Sequence, residues 1–92
     1  MNLKPIRLPD LPAFYERAER DFREVVMAEA RNWTSMDDEA VIGGWRGWAE
    51  ALVTSIAWTS DERRQAFADR LAAIIQEAQR VREEAIAQGG AA

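Results

Sequence analysis

The sequence contains no cysteine and no histidine among its 92 residues. Without cysteine the chain has neither disulfide bonds nor thiolate metal ligands, and without histidine it lacks imidazole ligands and the commonest general base. A cysteine-free chain is compatible with a reducing compartment. These absences exclude disulfide scaffolds, zinc sites of the cysteine–histidine type and histidine-dependent catalysis.

Lysine is almost absent, since eleven of the twelve basic residues are arginine, and alanine is abundant. This bias is typical of proteins from GC-rich bacterial or phage genomes. Sixteen acidic residues give the chain a net charge of −4. Binding to nucleic-acid phosphates needs clustered lysine and arginine, so the charge argues against direct nucleic-acid binding.

Long hydrophobic runs are also missing. The longest uncharged run before the C-terminal tail covers residues 51–60, which is too short to span a bilayer. All three prolines lie in the first twelve residues, where a signal peptide needs a continuous apolar stretch. We therefore expect a soluble protein without membrane contact, located in the cytoplasm of a bacterial cell or of a phage-infected host cell.

Apolar residues recur at intervals of three and four along most of the chain, which is the spacing of amphipathic helices. The pattern predicts helices at about 10–31, 36–58 and 60–88. The prolines before them favour extended backbone. The short connection between the second and third helices places these two helices antiparallel. The sequence thus predicts one all-α domain over residues 1–92, a three-helix bundle-like fold with an extended, Pro-spaced N-terminal arm at 1–12.

Residues able to cap helices precede the second and third helices. Thr34 and Ser35 each stand three positions before an aspartate, and Thr59 stands three positions before Glu62. This spacing is that of a capping box, in which the hydroxyl accepts a hydrogen bond from the first turn of the helix. We expect these hydroxyl residues to be the N-caps.

The second helix combines the largest and the smallest side chains, because residues 41–58 hold three of the four tryptophans and three of the five glycines. Each interior glycine costs about 1 kcal/mol relative to alanine. We therefore expect the small-residue face, with Gly47, to lie at a close helix contact within the monomer or between two copies. The predicted core comprises Phe22, Val25, Trp45, Trp48, Leu52, Ile56, Phe67, Leu71 and Ile74.

Catalytic patterns are scarce in the sequence. It shows no nucleophile–base pair and no glycine-rich phosphate loop. We expect a protein that is not an enzyme, with no catalytic residue, no cofactor and no metal.

The apolar residues exceed what three helices readily hide, which predicts contact with another protein. Tryptophan is enriched among the residues that dominate binding energy. The protein-binding candidates lie in the arm, at helix ends, on the small-residue face and late in the third helix: Leu3, Ile6, Leu8, Trp33, Gly47, Trp58, Val81 and Ile86.

Two functions fit a small, acidic, helical protein-binding chain. In the first, the protein docks on a larger protein as an inhibitor or adaptor, as small phage or mobile-element proteins do against bacterial defence systems. In the alternative, it is a structural or assembly subunit of a homo-oligomer, virion or larger complex. A homodimer or a higher assembly is compatible with both.

Overall fold

The computed structural model of the protein describes residues 10–90. Among these residues there is no strand, and the all-α, three-helix prediction is confirmed. The described elements are α1 (Asp10–Asn32), α2 (Asp38–Ser55), α3 (Asp61–Ala85) and a π-helical turn that continues α3 (Ile86–Gly90).

The N-cap of α2 is an aspartate. Asp37 has an extended backbone (φ −64°, ψ 133°), and its carboxylate accepts a hydrogen bond of 3.3 Å from the backbone N–H of Ala40. Thr34 and Ser35 lie in the preceding turn, so the prediction that they cap α2 was wrong. A carboxylate caps as well as a hydroxyl and adds a negative charge that the helix N-terminus favours.

α3 begins one residue later than a cap at Thr59 would place it. The Ser60 hydroxyl accepts a hydrogen bond of 3.2 Å from the backbone N–H of Arg63, so the prediction of Thr59 as N-cap was wrong. The end of α2 also differs from the expected boundary at 58. α2 ends at Ser55 because Ile56 is extended (φ −96°, ψ 135°), and this lengthens the connection to α3.

The core lies along α3, which packs against both α1 and α2. α1 and α2 approach each other mainly through side chains. The ring centroids of Phe22 and Trp48 are 4.8 Å apart, and the indole N–H of Trp45 donates a hydrogen bond of 2.9 Å to the Glu29 carboxylate. The buried apolar residues come from all three helices: Phe22, Val26, Met27, Ala30, Val41, Trp45, Phe67, Leu71, Ile74, Ile75 and Ala78.

Val25 is the predicted core residue that proves exposed. Its side chain is 42% exposed, whereas its neighbour Val26 is fully buried. The buried positions of α1 recur every four residues from Phe22 through Val26 to Ala30, and Val25 lies about 100° around the helix from Val26. Of the other predicted core residues, Phe22, Trp45, Phe67, Leu71 and Ile74 are buried, while Trp48, Leu52 and Ile56 are half-buried against the core.

The small-residue face of α2 points away from the rest of the described chain. A methyl group added at Gly43, Gly44 or Gly47 has no atom within 4 Å. Within residues 10–90 the predicted close helix contact is therefore wrong, while a contact between two copies stays a prediction. The larger α2 residues occupy the side towards α1 and α3, which leaves the glycines on the solvent side.

We expect Gly43→Ala to raise the free energy of unfolding by about 0.5–1 kcal/mol, because alanine loses less backbone entropy than glycine in a helix and the added methyl meets nothing. The measurement is urea denaturation followed by far-ultraviolet circular dichroism. Ala51→Gly, at another exposed position of α2, is the matched reverse change and should lose a similar amount. A destabilised Gly43→Ala variant would mean that this face is covered in solution.

Two ion pairs connect α1 with α3. The Arg23 guanidinium lies 2.8 Å from the Glu77 carboxylate, and Arg70 pairs with Glu19. The hydrogen bond from Arg23 lowers the pKa of Glu77 below the ordinary glutamate value. Because the Arg23 and Arg70 side chains remain accessible to water, these ion pairs contribute little to stability. Their main effect is on the register of the two helices.

Candidate protein-binding surface

A buried arginine holds the connection between α1 and α2. Arg82, in the last turn of α3, is only 3% exposed. One terminal nitrogen donates to the Asp38 carboxylate in the first turn of α2. The other donates to the backbone carbonyls of Trp33, at 3.3 Å, and Met36, at 2.5 Å. One side chain of α3 therefore ties together the start of α2 and both ends of the preceding turn.

The surroundings of Arg82 suit a positive charge. Burial of a guanidinium is costly unless charge and hydrogen bonds compensate it, and Arg82 has a carboxylate and two carbonyls as acceptors. The Trp33 carbonyl directly follows the C-terminus of α1, where the helix dipole also favours a cation. The Nε atom of Arg82 is buried without a hydrogen-bond partner among the described residues, so the compensation is incomplete.

The connection fixed by Arg82 presents large apolar side chains to solvent. Trp33 is 40% and Met36 is 45% exposed, although their carbonyls are both bound to Arg82. Ile86 is 39% exposed and stands four residues after Arg82, one turn along the same side of the helix. We call Trp33, Met36 and Ile86 the loop surface.

Charged residues adjoin the loop surface in the sequence. Arg31, in the last turn of α1, is exposed two residues before Trp33. Asp37, Asp38 and Glu39 are exposed at the start of α2, and Glu83 is exposed beside Arg82 on α3. The Asp38 side chain remains 70% exposed even though it is paired with Arg82. An apolar centre with a charged rim is the usual composition of a protein-binding patch.

Two of the predicted protein-binding residues are placed next to Arg82: Trp33 through its backbone carbonyl, and Ile86 one helical turn further along the chain. Val81 lies next to Arg82 but is half-buried against the core. Gly47 is exposed on the outer side of α2, away from the loop surface. The predicted candidates of the arm, Leu3, Ile6 and Leu8, lie outside the described residues.

Trp58 lies at the opposite end of the bundle and contributes to packing there. Its ring stacks on Tyr15 at 4.8 Å between centroids and lies 5.4 Å from Phe67. Its indole N–H donates a hydrogen bond of 2.6 Å to the Val53 carbonyl. These aromatic rings line a cleft of about 290 Å³ between α1 and α3. Trp58 is half-buried and held by these contacts, at the end of the bundle opposite the loop surface.

Arg82 and Met36 were not among the protein-binding residues predicted from the sequence. Arg82 follows Ala78 at the four-residue step of the buried face of α3, so a charged residue interrupts an otherwise apolar stripe. A charged residue at such a position is expected to have a buried partner. That interruption, together with the aspartates at the start of α2, is the signal that points to the Arg82–Asp38 pair.

No group of three or more acidic residues in the described part of the chain is arranged to hold a metal ion. No helix within it has the length and apolar character that crossing a membrane requires.

Comparison with known proteins gives no match to a family model, to a curated protein or to a solved structure. The contacts and exposed surfaces of the chain itself are therefore the basis for a functional proposal.

Proposed function

We propose that this chain is a non-catalytic protein-binding module that docks on a larger protein as an inhibitor or adaptor. The loop surface makes the contact. The observation that carries this proposal is the buried Arg82, which fixes a turn whose two large apolar side chains, Trp33 and Met36, face solvent.

Pre-organisation is what the Arg82 contacts contribute to binding. A turn that is already held by an internal cation loses little conformational entropy when a partner binds it. An exposed tryptophan on a rigid support has the properties of a binding hot spot, since it buries a large area with few rotatable bonds. These two properties favour a binding role for Trp33 over a purely structural one.

The charges around the loop surface indicate the chemistry of the partner. Asp37 and Glu39 are exposed next to Met36 in the sequence, and Arg31 is exposed two residues before Trp33. The complementary partner presents an apolar pocket with lysine or arginine opposite the start of α2. The acidic residues there oppose contact with nucleic-acid phosphates. Binding without turnover also agrees with a sequence that has no histidine or cysteine.

The partner can be captured from a lysate of the source organism with the immobilised protein, identified by mass spectrometry and then purified for measurement of the dissociation constant. We expect Trp33→Ser to raise that constant by about 30-fold, the effect of losing a typical hot spot of about 2 kcal/mol. If the partner is an enzyme, an inhibitor lowers its activity on binding, whereas an adaptor leaves it unchanged.

Val25→Ser is the matched control, because Val25 has a similar exposure, 42% against 40% for Trp33, and lies on a different surface. It should leave the partner affinity unchanged. Equal affinities of the wild type and the folded Trp33→Ser variant would contradict the proposal. A purified partner that binds Val25→Ser more weakly than Trp33→Ser would place the contact elsewhere.

A further inference from the structure

A second apolar surface lies between α1 and α2, on the side of the molecule away from α3. It is a groove of about 460 Å³ whose walls include Phe14 and Ala18 of α1 and Trp48 and Leu52 of α2. Phe14 is 43% exposed at one end of the groove. Trp48 and Leu52 are only half-buried, so the groove leaves part of the core-packing residues of α2 accessible.

The α1 side of this groove is a continuous face of the helix. Phe14, Ala18, Asp21 and Val25 follow one another at steps of four, three and four residues, which places them in one row. Arg17 stands at the edge of the row. Phe14 and Val25, the two exposed apolar residues, lie at the ends of the row, and the charged residues lie between them.

On the α2 side, the absence of a side chain at Gly44 leaves room for another helix to approach. Val25 lies between Phe22 and Glu29, whose contacts on α2 are with Trp48 and Trp45. Gly44 is in the same part of α2, exposed and without any atom within 4 Å of an added methyl group. A helix seated beside Val25 would therefore meet the backbone of Gly44 on α2, one turn before the groove-lining Trp48.

We propose that a second copy of this chain covers this groove, with the two α1 helices antiparallel across a two-fold axis. The row is self-complementary in that orientation. With the axis midway between Ala18 and Asp21, Phe14 faces the partner's Val25 and Ala18 faces the partner's Asp21. Arg17 is then one residue, about 1.5 Å along the helix, out of line with the partner's Asp21, which its long side chain spans. The symmetry makes each contact twice. Neither Arg17 nor Asp21 has an ion-pair partner among the described residues.

Charge exchange tests the dimer and its orientation. The wild type should sediment as a concentration-dependent dimer in analytical ultracentrifugation. Arg17→Asp and Asp21→Arg should each weaken it by about tenfold or more, because like charges then meet at two equivalent places. The double variant Arg17→Asp/Asp21→Arg should recover most of the affinity. Recovery is specific to residues that face each other, and additive losses in the double variant would overturn the antiparallel arrangement.

Two adjacent exposed glycines supply a matched steric pair. Gly44 lies one turn before the groove-lining Trp48 on the same side of α2, whereas Gly43 lies about 100° further round the helix. Gly44→Leu should abolish the dimer and Gly43→Leu should leave it intact, although leucine improves helix propensity equally at both positions. A wild type that stays monomeric up to its solubility limit, or a dimer that withstands Gly44→Leu, would refute the proposal.

The dimer and the proposed partner contact use different surfaces, so their tests are independent. Val25→Ser should weaken self-association and spare binding of the heterologous partner. Trp33→Ser should do the reverse. Loss of both activities in one folded variant would show a single shared surface and contradict the separation.

Discussion

Trp45→Ala should lower the free energy of unfolding by about 3–5 kcal/mol, the largest loss that we expect from a single substitution in this chain. Trp45 is 1% exposed and is among the largest fully buried side chains. Its removal takes the contact area of an indole from the core and leaves a cavity that short helices close only in part. It also deprives the Glu29 carboxylate, on α1, of its indole donor.

The size of this loss matters because small domains have little stability to spare. At about 0.05–0.15 kcal/mol per residue, a chain of this length is stable by roughly 5–14 kcal/mol. A loss of 3–5 kcal/mol would then shift the unfolding midpoint strongly. Urea denaturation followed by circular dichroism is the suitable measurement, since the substitution itself alters tryptophan fluorescence.

Trp33→Ala is the matched control for Trp45→Ala. It makes the same chemical change at a tryptophan that is 40% exposed, so it should cost less than half as much. Trp45→Phe retains much of the packing and removes the hydrogen bond to Glu29, and should fall between the two. Equal losses for Trp45→Ala and Trp33→Ala would contradict the assignment of Trp45 to the core.

The course of the helices could be predicted from the sequence because hydrophobic periodicity is a local property. The spacing around Phe67, Leu71 and Ile74 indicates a buried face of α3, and the structure buries all three. Which side of a helix is buried is harder to predict when two apolar residues are adjacent in the sequence. Val25 and Val26 are equally hydrophobic, and only the positions of α2 and α3 decide that Val26 is buried.

The candidate site depends on contacts between residues far apart in sequence, and these were the least predictable. Arg82 lies 44 positions after Asp38, and its other acceptors are backbone carbonyls, which carry no mark in the sequence. The prediction that the glycines of α2 lie at a close contact within the monomer was wrong for a related reason. Glycine spacing indicates where a close contact is possible, and whether a neighbour is present depends on the tertiary arrangement.

Arg82→Met should cost about 2–3 kcal/mol of stability, because methionine keeps most of the apolar volume but donates none of the hydrogen bonds to Asp38, Trp33 and Met36. Arg82→Lys should recover only part of this loss. An ammonium group is a compact charge, whereas the guanidinium reaches acceptors on both of its terminal nitrogens. Arg80→Met is the control at an exposed arginine two residues earlier, and should change stability by less than about 0.5 kcal/mol.

Amide hydrogen exchange can show whether Arg82 holds the turn between α1 and α2 in place or only packs in the core. In Arg82→Met the turn between α1 and α2 loses its internal cation, so amide hydrogen exchange should accelerate most at residues 33–38. The α1–α3 contact around Arg23 and Glu77 should retain its protection, measured under conditions in which the variant is folded. Uniform acceleration along the chain would show that Arg82 contributes only to global stability.

The same variant tests whether the fixed turn is what the protein offers to its partner. Trp33 and Met36 remain present and exposed in Arg82→Met, so any loss of affinity reports their positioning rather than their removal. We expect affinity for the captured partner to fall by about tenfold or more, since ordering the freed turn on binding costs about 0.5–1.5 kcal/mol for each immobilised side chain. Arg80→Met should bind as the wild type does. A folded Arg82→Met variant with undiminished affinity would show that Trp33 and Met36 bind without pre-organisation, or that the partner contacts another surface.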